Sequence, residues 1–192
     1  QLDDFNKPNK ININNFNKKL KIKLKKNFLI IMQHPVLYEN IDSNLQIEQT
    51  LKAVEKLPLQ KIVIYPNIDT GNNKIIKILE KYKNKKNFNI FKNLKREYFI
   101  FLMHNASILI GNSSCGILEA ASFKLPVINI GNRQKGRLQS KNILNTGYSS
   151  KEITKAIKII KNSKKYKKSL SKCKNLYGDG KSSMRIVNIL KK

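Results

Sequence analysis

The sequence predicts an α/β domain built on one mainly parallel sheet. Three observations carry this: short apolar runs of four or five residues recur along the chain, each is followed by a stretch with apolar residues at helical spacing, and the connections are short and rich in Asn, Pro and Gly. Strands that alternate with helices through short connections pair in parallel, with both sheet faces covered. At 192 residues the chain is sized for one such domain.

Residues 1–26 are Asn- and Lys-rich, with scattered apolar residues at Ile11, Ile13, Phe16, Leu20, Ile22 and Leu24. They read as a linker with a loosely helical piece, expected to pack on another domain, and the domain proper covers 27–192. A strand over 28–32 precedes a helix over 45–57, where Ser43 and Gln46 have capping-box spacing and Leu45, Leu51 and Val54 share a face. A strand over 61–65 leads to a helix over 74–82, with Ile75, Ile78 and Leu79 inward. A strand over 88–91, a helix over 96–104 and a strand over 107–110 follow. A Gly-Asn-Ser-Ser-Cys-Gly turn at 111–116 then opens a helix over 117–123, and strands follow at 127–130 and 143–144. Helices at 150–162, 166–176 and 183–190 complete the chain, the last two separated by the Gly-Asp-Gly stop at 178–180. No internal repeat is visible.

A net charge of +27 and a pI near 10.1 would ordinarily point to nucleic acid or an anionic membrane. The excess is nearly all Lys, however, spread over every predicted helix face and accompanied by abundant Asn and Ile. A basic nucleic-acid-binding domain is therefore the competing class, and neither a nucleic acid nor a membrane is expected as a partner. Arg occupies only positions 96, 133, 137 and 185, so two of the four fall in one short loop at 131–137, where planar forked donors suit phosphate. Cys115 and Cys173 form no disulfide or metal pattern; no metal or cofactor is expected, and a reducing cytoplasm fits. Cys115 reads as a small packing residue rather than an activated thiolate, because no base is placed beside it. The apolar run at 98–103 is far too short to span a bilayer, and no signal-peptide pattern opens the chain.

The most informative stretch is 110–137. The turn at 111–116 places two glycines, Gly111 and Gly116, and two hydroxyls, Ser113 and Ser114, between a strand and a helix start. Glycines permit close backbone approach, and free N–H groups at a helix start attract anions, so the turn reads as a phosphate cradle. The alternative is an ordinary turn with Ser as N-cap. Gly131-Asn132-Arg133-Gln134-Lys135-Gly136-Arg137, at the end of the next strand, favours the cradle, because loops after neighbouring parallel strands meet at one edge and bring two basic side chains to it.

These residues, GNSSCGILEA followed by PVINIGNRQKGR, resemble the second domain of UDP-N-acetylglucosamine 2-epimerases, particularly the hydrolysing, sialic-acid-pathway kind. Gln33-His34-Pro35-Val36, Tyr65-Pro66-Asn67-Ile68-Asp69-Thr70-Gly71 and Tyr177-Gly178-Asp179-Gly180 follow the family's order, so the likeness runs from about residue 28 to the C-terminus. The resemblance implies the C-terminal, Rossmann-like half of a two-domain GT-B-type fold, a homo-oligomer for the complete enzyme, and UDP-N-acetylglucosamine and UDP as ligands. The chain has strands for one domain and opens on Gln1-Leu2-Asp3-Asp4-Phe5, similar to the segment where the family's chain leaves its first domain. It is expected to be a fragment or a gene truncated at its start, lacking the N-terminal domain and inactive alone.

The implied reaction is elimination of UDP followed by addition of water, giving N-acetylmannosamine. A non-hydrolysing epimerase, which keeps the sugar linked to UDP, and a glycosyltransferase of the same architecture are the alternatives. Ser113, Ser114, Gly116 and Arg133 are expected at the diphosphate. The resemblance assigns Glu119 to the ribose hydroxyls, Asn67 to the nucleotide and the main chain of Leu94 to uracil. Their ordinary readings are a charge near a helix start, a turn Asn and a loop residue. His34, at a strand's carboxyl end, is the candidate acid/base residue, its usual pKa range suiting proton transfer near pH 7; the ordinary reading is a turn-capping His. His104 reads as structural. The family's catalytic carboxylates belong to the first domain, and no residue here matches them.

Overall fold

The central strands are too short and too apolar to stand with one face in water. Four of the six are buried at all but one or none of their positions, as a parallel sheet covered by helices requires. The structure, a computed structural model, describes residues 2–6, 11–36 and 42–191. The remainder of the expected linker, residue 1 and residues 7–10, lies outside the described residues.

A 3-10 turn at Leu2–Asn6 is followed by helix α1 (Ile13–Leu20), strand β1 (Phe28–Met32), helix α2 (Ser43–Glu55), strand β2 (Gln60–Ile64), helix α3 (Asn72–Glu80) and strand β3 (Phe88–Phe91). Helix α4 (Arg96–Asn105), strand β4 (Ile108–Gly111), the single-turn helix α5 (Cys115–Leu118), a 3-10 turn at Ala120–Phe123, strand β5 (Val127–Ile130) and strand β6 (Ile143–Thr146) come next. Helices α6 (Ser150–Asn162), α7 (Lys164–Ser171) and α8 (Ser182–Leu190) end the chain. The strands form one six-stranded sheet in the order β3-β2-β1-β4-β5-β6, every pairing parallel.

Alternate strand residues feed two cores. Leu29, Ile31, Val63, Ile110 and Ile128 pack under α2, α3 and α6, while Phe28, Ile30, Ile62, Leu109 and Val127 face α1, α4 and α5. Phe16 of α1 is fully buried in the second core, against Phe101 at 4.9 Å between ring centroids. Burying a side chain of this size contributes about 1.5–3 kcal/mol. The described part of the expected linker thus packs on this domain's own sheet.

Several boundaries differ from expectation for physical reasons. Helix α2 begins with Ser43 as its first helical residue, so Ser43 cannot be the cap of a capping box. Asp42 holds the N-cap position without a side-chain capping bond, and the buried face is Ile47, Leu51 and Val54, leaving Leu45 half exposed. The helix after the Gly-Asn-Ser-Ser-Cys-Gly turn, expected over 117–123, is one α-turn and one 3-10 turn broken at Glu119. Helix α7 starts early because the Ser163 hydroxyl accepts from the Tyr166 N–H at 3.2 Å. Among the described residues, Lys61 is the one fully buried lysine. Its ammonium donates to the carbonyls of Leu57 at 2.6 Å and Glu55 at 3.2 Å, closing the C-terminus of α2.

Candidate functional site

Six parallel strands put all their carboxyl ends on one edge, and the chain's direction of travel reverses between β1 and β4. Such a switch point leaves a crevice where adjoining loops part, the usual ligand position in open α/β sheets. His34 follows β1, Asn67 follows β2, Leu94 follows β3, Ser113 and Ser114 follow β4, and Arg133 follows β5. All the expected site residues after strand ends therefore share this edge, with His34 and the two serines flanking the switch point itself.

Gly111 fixes how closely the two central strands end. A Cβ there would lie 2.0 Å from the Met32 carbonyl oxygen, and φ is +139°, so only glycine fits. This approach drives the Asn112 side chain into the β1 loop. Asn112 is completely buried; its Oδ1 accepts from the His34 N–H at 2.7 Å and its Nδ2 donates to the His34 carbonyl at 2.9 Å. Its own carbonyl accepts from Gln134 Nε2 at 2.8 Å and Arg133 Nη1 at 3.2 Å. Arg133 Nη2 lies 3.8 Å from Asp69 Oδ2, Asp69 accepts from Asn67 Nδ2 at 2.6 Å, and the Asn67 N–H donates to His34 Nδ1 at 3.0 Å. The contacts close a ring, His34–Asn112–Arg133–Asp69–Asn67, across four strand ends, those of β1, β2, β4 and β5. Asn112, Gln134 and Asp69 carry no separate signal in the sequence beyond lying inside the motifs already singled out.

Burial, and then the positive charge of Arg133, push the pKa of His34 down to about 4, against the weaker opposing effects of the Asn67 hydrogen bond and of Asp69. The expectation of a group titrating near pH 7 is therefore corrected: the imidazole is neutral at that pH. With Nδ1 accepting from Asn67, the proton resides on Nε2, making it a hydrogen-bond donor.

The cradle also differs in detail. The N–H of Gly116 is already given to the Ser113 carbonyl at 3.1 Å, and those of Ile117 and Leu118 go to the Ser114 carbonyl at 3.0 and 2.8 Å. A helix of one turn also aligns few peptide dipoles, so the attraction for anions expected at its start is weaker here. Gly116 is tightly packed instead: a Cβ would meet Val127 Cγ1 at 3.0 Å, so that side chain would have to give by a few tenths of an ångström. The Ser113 hydroxyl accepts from the Cys115 thiol at 3.2 Å, and burial pushes that thiol up to about 12, far from an activated thiolate.

Glu119, buried to 5% exposure, accepts from Arg96 Nη1 at 2.7 Å. Arg96 is held in turn over the Phe5 ring at 5.2 Å and beside Asp4 at 3.7 Å. Leu94 is half-buried two residues before Arg96, on the same side of the sheet edge. Of the two arginines expected near the cradle, Arg133 reaches it, whereas Arg137 is exposed. His104 is exposed and packs edge-on against Phe123. Asp179 of the Tyr-Gly-Asp-Gly segment pairs through both oxygens with Arg185, which holds its pKa down to about 2. Among the described residues, no group of three or more His, Cys, Asp or Glu lies together as a metal site would need, and no helix is long and apolar enough to cross a membrane.

Comparison with known proteins matches residues 2–191 to the UDP-N-acetylglucosamine 2-epimerase family. The UDP-N,N′-diacetylbacillosamine 2-epimerase (hydrolyzing) of Legionella pneumophila is 35% identical over 176 residues, covering 92% of this chain and 45% of the relative. The UDP-N-acetylglucosamine 2-epimerase of Neisseria meningitidis is 40% identical over 131 residues, covering 68% and 34%. The chain thus spans about half the length of the first of these relatives and a smaller share of the second. Among solved structures, the UDP-GlcNAc 2-epimerase of Methanocaldococcus jannaschii in complex with UDP-GlcNAc and UDP superposes with a TM-score of 0.69 at 21% identity, covering 95% of this chain and 49% of that one. The fold is accordingly the Rossmann-like kind found in GT-B-type epimerases. Family match, sequence identity and fold agree: the chain belongs to the UDP-N-acetylglucosamine 2-epimerase family.

Proposed function

We propose that the chain is the UDP-binding half of a hydrolysing UDP-N-acetylglucosamine 2-epimerase, converting UDP-N-acetylglucosamine and water to N-acetylmannosamine and UDP. The observation that carries this reading is the ring of His34, Asn112, Arg133, Asp69 and Asn67 at the switch point, which holds fixed donors where a leaving diphosphate would lie. The proton on sugar C2 is weakly acidic, so the C1–O bond breaks ahead of its removal and the electron pair departs with the β-phosphate oxygen. Donors whose bonds tighten as that charge collects lower the barrier directly. Arg133 supplies a planar fork, His34 its Nε2–H, and Ser113 and Ser114 their hydroxyls. Asn67 orients His34, while Gly116 lets the turn seat against β5. Glu119 accepts the ribose hydroxyls and the main chain of Leu94 meets uracil, giving a track from base to diphosphate along the edge. The C2 proton passes to carboxylates of an N-terminal domain, and water then adds across the resulting double bond.

The hydrolysing outcome is supported by the Legionella relative, whose sugar, N,N′-diacetylbacillosamine, is the second substrate to consider. Support for an N-terminal domain comes from the half-length coverage and from α8. Met184, Ile186, Val187, Ile189 and Leu190 on that helix are 46–80% exposed, an apolar surface that a neighbouring domain would cover. Both cysteines are free, as in a cytoplasmic protein.

The test is UDP affinity at one ionic strength for the wild type, Arg133→Lys and Lys158→Ala. A guanidinium can make two parallel bonds to a phosphate where an ammonium acts as a point charge, so Arg133→Lys should weaken binding about tenfold at unchanged net charge. Lys158 is exposed on α6, away from the ring, and its loss should change affinity less than about twofold. Equal affinities for the wild type and Arg133→Lys would sink the reading. Free N-acetylmannosamine, rather than a UDP-linked product, would then separate the hydrolysing enzyme from its alternatives.

A further inference from the structure

Glu119 is held by a cation that the reaction does not obviously call for. Arg96, the first residue of α4, reaches across the loop after β4 to place Nη1 2.7 Å from Glu119 Oε2. The carboxylate is 5% exposed, so its orientation is set inside the protein rather than by solvent. The guanidinium is itself fixed on its other sides. Its carbon sits 5.2 Å from the centroid of Phe5, whose ring packs against Phe123 at 4.6 Å, and Nε lies 3.7 Å from Asp4 Oδ2.

A ribose presents two neighbouring hydroxyls, and a carboxylate accepts both only if its plane faces them. A forked cation occupying one lone pair of Oε2 fixes that plane and leaves Oε1 and the other Oε2 lone pair as acceptors. We propose that Arg96 is a positioning residue for nucleotide recognition: clamped by Phe5 and Asp4, it holds the Glu119 carboxylate in the orientation that accepts the ribose diol. This rests on the assignment of Glu119 to the ribose. It makes residues 4 and 5, far away in sequence, part of the support for the nucleotide site.

The experiment compares the affinities of UDP and 2′-deoxy-UDP for the full chain, its Arg96→Gln and Arg96→Lys variants, and Glu119→Gln. The wild type should prefer UDP by about tenfold, the order expected for one lost charge-assisted hydrogen bond. Arg96→Gln should bring that preference to within about twofold, and Arg96→Lys, which keeps the charge but not the forked plane, should restore part of it. Pyrophosphate affinity should be unchanged in every variant, showing that the diphosphate subsite remains folded. A merely structural role would weaken both nucleotides equally and leave their ratio alone. If the wild type and Glu119→Gln both fail to discriminate the nucleotides, the ribose assignment falls and this inference with it. If the wild type discriminates and Arg96→Gln does so equally well, the ribose assignment stands and the positioning role of Arg96 is overturned.

Discussion

Holding His34 neutral inside the ring ties the protein's stability to pH in a defined window. The ordinary histidine value of 6.5 falls to about 4 in the fold, because of burial first and the nearby Arg133 second. Between those values the unfolded chain binds a proton that the folded chain refuses, so stability rises with pH across the window and is lost as pH falls. A difference of about 2.5 units corresponds to roughly 3 kcal/mol in full, of which about 2 kcal/mol is lost on going from pH 7 to pH 5. Other groups titrate in the same range, but His34→Gln leaves them in place while removing this one. Urea unfolding of both proteins at pH 7 and pH 5 therefore isolates the contribution. The wild type should lose about 2 kcal/mol more than His34→Gln between the two conditions. Equal losses would show that His34 protonates freely in the folded state and that the ring does not hold it neutral.

Two further perturbations probe the scaffold. Asn112→Asp keeps the acceptor for the His34 N–H but replaces the donor to the His34 carbonyl with a second acceptor, in a completely buried position. It should cost about 2–4 kcal/mol in chemical denaturation and abolish measurable UDP binding, and a variant as stable as wild type would contradict the view that Asn112 ties the β1 and β4 loops together. Lys61→Met retains the aliphatic stem but leaves the Glu55 and Leu57 carbonyls without their shared donor. A loss of about 1–3 kcal/mol with no change in UDP affinity is expected, because Lys61 lies at the amino end of β2, opposite the ligand edge.

The strands were legible because a buried parallel strand must be apolar at nearly every position, as Phe28–Met32 is, leaving little else the segment could be. Helix ends were less so. Ser43 and Gln46 have the spacing of a capping box, yet Asp42 takes the cap, and tertiary burial of both side chains outweighs the local bonds that the spacing suggests. Motifs at the strand ends placed residues 34, 67, 113, 114 and 133 on one edge, because parallel topology alone requires it. The internal wiring was not legible. Asn112 meets His34 only because Gly111 brings β4 against β1, and Arg96 meets Glu119 across 23 residues of sequence through a loop geometry that no local pattern encodes. The same tertiary burial displaced His34 from its ordinary titration range.

Titrating the isotopically labelled chain with UDP and following its backbone amide resonances decides whether a uridine diphosphate binds at the carboxyl edge of the switch point. Saturable shifts concentrated at His34, Asn67, Leu94, Ser113, Ser114 and Arg133 are expected, with the lysines of α6 and α7 unmoved. Shifts spread over those lysine-rich helices, equal in size with inorganic polyphosphate and erased by salt, would instead describe a general polyanion binder with no specific site at this edge.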